Sequence, residues 1–522
     1  MRWFLQPANA GTELWAHYGG KADFAFLIPP LVKAGIRCSG LVIGSSIAAL
    51  NIYIGRHEYR LRDSFFLFLC GLDTAGRTFA GRGKTEGDFE GGMKQLIEYN
   101  REDRRLLLDC LLSVDDLWGQ LGTHIGITNA STAWSLFRAR YLKEEIPTND
   151  ATNDVFRRKA FFASRVEPFW RSLEATGKPL ALGWDQNSAH PASYSQAMPG
   201  RELWGSTTRP TSKDVLWYVD CDIEVPTDLA IPPIPYRREN GRICHPVGRW
   251  RALLCQEEVE LLEDSGGKIR KAHWYYQFQV TRALEEFGRT LFEAKRASLD
   301  SEGQPTALTT VIKYALNGGG FGKTAERPER MELIIGPIPD KLLYEKDGTP
   351  REDAEKLRII APNLTMVPSF KRAPHEHVVM ASTTGARTRV RLTRDMQLYH
   401  AYGSNILYCD TDGFKGTIPD VLELTQNERG EWAYSPIVPF TTGDALGAYK
   451  AEYRAIVEFY CAGPKLYAMK DVDSGKTIIR AKSFPCRDYG EKRFDGAGQW
   501  TGKRKGFLPS SDDKRPDSAV MT

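Results

Sequence analysis

Three short segments carry residue types suited to chemistry on a phosphate. In NILYCDTDGFKG, a β-prone run from Asn405 to Cys409 leads into Asp410, Thr411, Asp412 and Gly413, followed by a second short run containing Phe414. That is the pattern of a hairpin with two carboxylates at its tip. An ordinary turn would use the same residues for backbone reasons, so this segment alone decides nothing. In PLALGWDQNSAHPASYSQAM, an apolar strand from Leu180 to Trp184 delivers Asp185 at its end. The turn after it is placed to open a helix whose backbone N–H groups can hold phosphate oxygens. A strand-end acid and a hairpin-tip pair can together bind two divalent ions, magnesium or, as an alternative, manganese. In PTALTTVIKYALN, Leu308, Val311, Ile312, Ala315 and Leu316 follow helical spacing and leave Lys313 and Asn317 on the opposite face. Lys313 there is suited to a triphosphate, although a lysine on a polar helix face is often only solvated.

The elements that must position these residues belong to a chain of several domains. It has 522 residues, 42% apolar and 26% charged, which allows a packed core and argues against general disorder. The polar stretch IPTNDATND, Ile146 to Asp154, reads as a linker that ends an N-terminal domain. Around Ile231 to Trp250 prolines interrupt any long helix, and an inserted β-rich subdomain is expected. After Arg487 small and charged residues dominate, leaving little to bury. A net charge of +4 neither demands nor excludes nucleic acid, because a basic groove can be balanced elsewhere. Nine scattered cysteines without a C-x-x-C pair make a zinc site or a disulfide framework improbable. The longest uncharged run, Ser39 to Gly55, is too short and too polar to span a membrane and reads as core. With no leader pattern at Met1, a monomer in the cytoplasm, the host's if the chain is viral, is expected.

Order adds what single segments lack. Asp185-Gln186-Asn187-Ser188-Ala189-His190-Pro191 resembles the first polymerase motif of family B DNA polymerases, D-x-x-S-L-Y-P. KYALNGGGFGK, Lys313 to Lys323, resembles the second, K-x-x-x-N-S-x-Y-G, and Tyr408-Cys409-Asp410-Thr411-Asp412-Gly413 the third, Y-x-D-T-D-S. Lys465-Leu466-Tyr467, followed by a strand ending near Lys482, is similar to the K-x-Y element that holds the primer strand. The four occur in the family's order. The resemblance implies template-directed attack of a primer hydroxyl on the α-phosphate of a dNTP, with DNA template, primer and dNTPs as partners. It makes Asp185 and Asp412 metal ligands, Asp410 a third ligand or acidic supporter, and Lys313 the grip on the triphosphate. Asn187, Ser188, His190, Asn317 and Phe321 would line the nucleotide, and Tyr408, Lys465, Tyr467 and Lys482 would meet primer or DNA.

Departures from the motifs carry expectations of their own. His190 replaces the tyrosine that packs beneath the sugar, which puts exclusion of ribonucleotides in question. Gly318 to Gly320 are expected to loosen the end of the Lys313 helix, and Gly413, in place of serine, to cost one hydrogen bond.

In the N-terminal region, TELWAHYGGKADFAFL reads as a strand, a Gly-Gly turn and an apolar segment opened by Asp23. It resembles the second proofreading-exonuclease motif, N-x-x-x-F-D, with only the acid kept. Tyr99 and Asp103 match the third, Y-x-x-x-D, on one face of a helix whose stripe is Leu96, Tyr99, Leu106, Leu107 and Cys110. Asp103 falls within that stripe and needs a partner or a metal. No Asp precedes Asp23, so the first motif, D-x-E, is missing, and either a truncated N-terminus or a domain that no longer proofreads is expected.

The expected fold class is therefore α/β and α+β multidomain: a ribonuclease H-like exonuclease domain, N-terminally truncated, followed by a right-hand polymerase with an antiparallel palm, helical fingers and a small thumb. The boundaries are residues 1–150 for the exonuclease-like domain and 151–490 for palm and fingers, with insertions at about 200–271 and 326–375, and 491–522 for a reduced thumb or disordered tail. The first insertion stands where the protein-primed branch, found in phages and linear plasmids, contacts a terminal protein, and its Arg237, Arg238 and Arg242 could pair with acidic or phosphate groups. The competing reading is a catalytically impaired relic that serves as a DNA-binding or priming scaffold. A nuclease alone is disfavoured, because the exonuclease motifs are the more damaged set.

Overall fold

Seven runs rich in apolar residues build the sheet that carries the acidic residues. They are β1 (Val166–Pro168), β2 (Ala181–Gln186), β3 (Ile406–Asp410), β4 (Gly413–Thr417), β5 (Tyr449–Gly463), β6 (Leu466–Asp471) and β7 (Lys476–Ala481). The computed structural model describes residues 4–85, 92–146, 156–174, 181–326, 329–338, 340–345, 347–351, 357–361, 364–370, 376–419, 424–426, 432–434, 438–471, 476–481 and 520–521. Lys482, most of the 146–154 linker and nearly all of the C-terminal tail lie outside the described residues.

The sheet order is β7-β6-β5-β2-β4-β3-β1, with Ser172–Glu174 also pairing on β5, and every pairing is antiparallel. Its core packs Leu182, Trp184, Phe414 and Tyr449 against Leu392, Met396 and Tyr399 of a long helix, Val378–Ala401. Burying an aromatic side chain as large as Trp184 contributes about 3 kcal/mol, so the central strands are firmly held. Within β2 every residue is buried except Asp185, which the strand pushes out at the sheet's end.

The same unit, residues 149–289 and 377–522, contains a second sheet of five strands. Its order is Val520–Met521, Val247–Cys255, Val215–Val225, Lys268–Thr281 and Met198–Glu202. Trp217, Val219, Cys221, Ile223, Val247 and Trp250 form its core. The proline-dense stretch inside it forms a ribbon of two-residue strands, Tyr236–Arg237 and Ile243–Cys244. Within this ribbon Arg237 donates to the carbonyl of Phe161 and Arg238 to the sulfur of Cys244.

The other unit comprises residues 1–148 and 290–376. Segment 290–376 thus groups with the N-terminal region, and the reason is a shared sheet. Its seven strands run in the order Glu13–Ala16, His57–Asp63, Ser46–Ile54, Arg37–Ile43, Glu329–Ile335, Leu364–Phe370 and Arg358–Ala361. Leu333 sits opposite Gly40 in that pairing, where an added Cβ would meet its side chain at 3.2 Å. The uncharged run from Ser39 to Gly55 supplies two of the strands, with Ala48, Leu50 and Ile52 fully buried.

Helix Ala307–Asn317 begins with a capping box in which the Thr306 hydroxyl accepts from the Thr309 N–H. At the glycines after it the chain keeps a helical path. The chain continues as a wider turn over Gly318–Gly322, with Gly319 and Gly320 buried. At Gly318 a Cβ would lie 2.9 Å from the Cα of Ala130 on helix Asn129–Leu136, so glycine here allows close helix packing. Among the described residues no helix is long and apolar enough to cross a membrane.

Candidate active site

The acidic end of the sheet is assembled by register. Asp185 on β2 lies opposite Gly413, the first residue of β4, and Asp410 ends β3 opposite the same glycine. Only Thr411 and Asp412 form the tip, and the Gln186 N–H donates to the Asp412 carbonyl at 2.9 Å. Asp185, Asp410 and Asp412 are thus gathered around one residue whose lack of a side chain matters. A Cβ on Gly413 would stand 2.6 Å from the Trp184 carbonyl oxygen and 3.0 Å from Asp185 Oδ1. The glycine is therefore a condition of the close approach of β2 and β4, a stronger role than the expected loss of one hydrogen bond.

The three turns at this end share a backbone feature. Ser188, Thr411 and Lys465 all have positive φ, at 53°, 63° and 59°, a conformation non-glycine residues adopt only when the surroundings impose it. For Thr411 the clamp is its own N–H donating to the carbonyl of Arg165, a buried arginine whose guanidinium donates to Glu167, Pro232 O and Thr393 Oγ1. For Lys465 it is the N–H donating to the Tyr408 hydroxyl at 2.8 Å, while Nζ holds both carboxylate oxygens of Asp410 at 2.6 and 2.8 Å.

Electrostatics separate the acids. Asp410 carries a lysine, whereas Asp412 has its carboxyl pushed up to about 7 by burial and then by the neighbouring charges of Asp185, Asp410 and Glu452. Crowded carboxylates of this kind bind a cation strongly. Among the described residues no group of three or more His, Cys, Asp or Glu side chains is placed to hold a metal ion. With two carboxylates, Asp185 and Asp412 could hold a hard ion only if it kept open positions for water and phosphate oxygens. Burial lowers His190 to about 4, so its imidazole is neutral near pH 7, with Nε2 3.4 Å from Ser164 Oγ.

Some nominated residues have structural duties. Asn187 donates from its amide to the carbonyl of Gly443 at 2.8 Å and fastens the first turn to the segment before β5. Tyr408 is fully buried, and the Tyr467 ring packs against it tilted by 50°, with centroids 4.8 Å apart. Lys313 and Asn317 are exposed on one face of their helix in the other unit, with Phe321 half-buried in the turn beyond. Glu452 was missed because β5 gives no local sign of facing the acids. Lys415 was missed because a lysine in a short strand reads as an edge residue.

In the N-terminal unit, Asp103 does find a partner. Lys84 Nζ lies 2.7 Å from its carboxylate and 4.9 Å from the centre of the Tyr99 ring. Asp23 is exposed in the first turn of helix Asp23–Lys33. The buried acid is Asp63, which accepts from the Gly20 and Phe65 N–H groups at 3.1 and 3.0 Å. Asp63, Lys84 and Asp103 all act on the titration of His17, whose value burial lowers.

A model of the family described as DNA polymerase type B, organellar and viral, matches residues 84–357, more than half of the chain. No curated protein matches the sequence. Among solved structures, phi29 DNA polymerase complexed with primer-template DNA and incoming nucleotide substrates is similar at 17% identity, with 91% of this chain and 84% of that one covered and a TM-score of 0.66. Phi29 DNA polymerase complexed with single-stranded DNA is similar at 18% identity over 90% and 81%, with a TM-score of 0.63. Its binary complex with primer-template DNA gives 17%, 91% and 84%, with a TM-score of 0.64. At such identities the likeness is one of fold.

Proposed function

The chain belongs to the organellar and viral type B DNA polymerases, and from that premise we propose that Asp185 and Asp412 hold the metal ions for nucleotidyl transfer and that synthesis starts on a protein hydroxyl. The enzyme is a DNA-directed DNA polymerase. The observation that carries the metal assignment is the pair of acids on either side of Gly413, one of them with its ionisation opposed by the other.

Magnesium, or manganese in its place, would supply Lewis-acid activation of the primer 3′-hydroxyl and neutralise charge at the leaving pyrophosphate. The remaining work falls to side chains of this chain. Lys313, exposed one turn before Asn317, meets the triphosphate and steadies its charge as the bond to the β-phosphate breaks. The neutral His190 ring packs beneath the sugar and offers less bulk than tyrosine against a 2′-hydroxyl. Lys465 and Tyr467 hold the primer strand, with Asp410 serving to place the Lys465 ammonium rather than to bind an ion alone. Residues 1–150, with strands from 329–370 completing their sheet, make the exonuclease-like domain, and the polymerase part consists of an antiparallel palm, helical fingers and a small thumb.

Protein priming is supported by the five-strand sheet, whose strands Val215–Val225 and Val247–Cys255 fall between the first and second motifs. A span with its own core is a subdomain able to receive a partner. Two measurements test the reading. Wild-type protein should extend a DNA primer with magnesium, while Asp185→Ala and Asp412→Ala each bind primer-template and fail to extend it. Replacing Arg237, Arg238 and Arg242 together by alanine should spare DNA-primer extension and weaken dNMP attachment to a terminal protein. Normal extension by either alanine variant refutes the site, and a wild-type chain that labels no protein encoded beside it refutes the priming mode.

A further inference from the structure

Lys415, three residues beyond Asp412 on β4, is only 5% exposed. Its strand register sets it opposite Gly183 on β2. Among the described residues no carboxylate lies within ion-pair distance of its ammonium and no hydrogen bond joins it. It sits instead among three tyrosine rings contributed by three strands: Tyr408 of β3 at 5.8 Å, Tyr453 of β5 at 5.3 Å and Tyr467 of β6 at 5.1 Å. The room for this cage depends on Gly183, where a Cβ would meet the Tyr453 ring at 2.7 Å.

Burying an ammonium is costly, and a methionine of similar length would fill the same space without charge. The negative faces of the rings offset part of that cost and fix how the rings are turned. Two of those rings matter beyond the cage. Tyr408 presents the hydroxyl that receives the Lys465 N–H and holds that residue at positive φ. Tyr467 packs on Tyr408 with the rings tilted by 50°, and it follows Lys465 by two residues. Burial lowers the ammonium's hold on its proton, and the charges of Glu452, Asp185 and Asp410 oppose that loss.

We propose that Lys415 is a positioning residue for the primer terminus: its charge orients Tyr408 and Tyr467, and through them sets the Lys465–Tyr467 segment that grips the primer strand. This rests on the reading that Lys465 and Tyr467 meet the primer. It assigns no bond-making step to Lys415, only the placement of a grip that other residues complete.

The test is steady-state extension by full-length protein, varying primer-template and dNTP separately. Lys415→Met should raise the KM for primer-template on the order of tenfold while leaving the KM for dNTP within about twofold, because primer grip and not nucleotide binding is disturbed. Lys415→Arg, which keeps a cation for the rings, should restore most of the primer affinity. Tyr453→Leu removes the one ring of the cage that neither receives the Lys465 N–H nor belongs to the Lys465–Tyr467 segment, and should reproduce the methionine phenotype, which keeps the test alive if Lys415→Met does not fold. An unchanged primer KM in Lys415→Met or Tyr453→Leu overturns the proposal, as does an arginine variant no better than methionine. Failure of the wild-type protein to extend any primer would instead strike the underlying polymerase-site reading, and the wild-type control separates the two.

Discussion

Replacing Asp412 by asparagine removes a charge that the fold opposes. In the unfolded chain this carboxyl ionises near its ordinary value of 3.8, whereas in the folded protein it keeps its proton up to about 7, because burial and the Asp185 charge oppose ionisation. Between those values the folded state binds the extra proton, so stability falls as pH rises from about 4 to about 7 and changes no further above that. At full weight the span corresponds to about 4 kcal/mol, and partial solvent access reduces it to about 2 kcal/mol. The expected result is that Asp412→Asn matches wild type near pH 4 and exceeds it above pH 7 by that amount, in the presence of a chelator. Denaturant melts of both proteins across this range measure the difference directly, and the comparison cancels groups that titrate in both, including Asp395, which burial raises to about 6. Adding magnesium should stabilise wild type and not the variant, since ions bind the ionised pair. Parallel stability curves, with no widening between pH 4 and 7, would refute the idea that these acids oppose each other's charge.

Other expectations follow from the same geometry. Lys313→Ala should raise the dNTP KM on the order of tenfold and slow incorporation, and an unchanged rate and KM would leave Lys313 as a solvated residue. Gly413→Ser, which restores the family's motif, should impair the enzyme, because the new Cβ would press on the Trp184 carbonyl and on Asp185. A loss of about 1–3 kcal/mol in stability and at least about tenfold in kcat is expected, and incorporation equal to wild type contradicts the packing argument. Single-stranded DNA should be degraded poorly, since Lys84 already engages the Asp103 carboxylate. Asp103→Ala should accordingly lower the melting temperature, whereas robust 3′ to 5′ digestion that vanishes in this variant would show a working nuclease.

Local pattern made the acidic strands readable. Apolar strand, acid and turn occur together at Asp185 and at Asp410 to Asp412, and the helix at Lys313 has a clean periodicity, so these elements emerged from residue order alone. Helix Val378–Ala401 did not. Its buried face includes Ser382, Thr383, Thr384, Thr388 and Thr393, hydroxyl residues that look solvent-facing in a sequence. Thr384 and Thr388 satisfy their hydroxyls on carbonyls four residues earlier, which permits burial without an apolar stripe. The glycine substitutions were legible as departures but not as to sign. Whether a glycine loosens a helix or allows close packing depends on Ala130 and Trp184, neighbours distant in sequence. Lys415 was hidden for the same reason, since its cage draws on residues up to 52 positions away. Of the two acids nominated in the N-terminal region, Asp23 is exposed and Asp103 pairs with Lys84, while the buried Asp63 ends a strand that carried no family motif in the sequence.

If Asp185 and Asp412 act together on an ion as proposed, manganese reports it directly. Anomalous diffraction from crystals of the protein with primer-template, an incoming dNTP and manganese should place signal between the Asp185 and Asp412 carboxylates and against the triphosphate, with Asp410 still bound by Lys465. Signal absent from that pair in a complex that holds the nucleotide, or centred on Asp410 with Lys465 displaced, would contradict it.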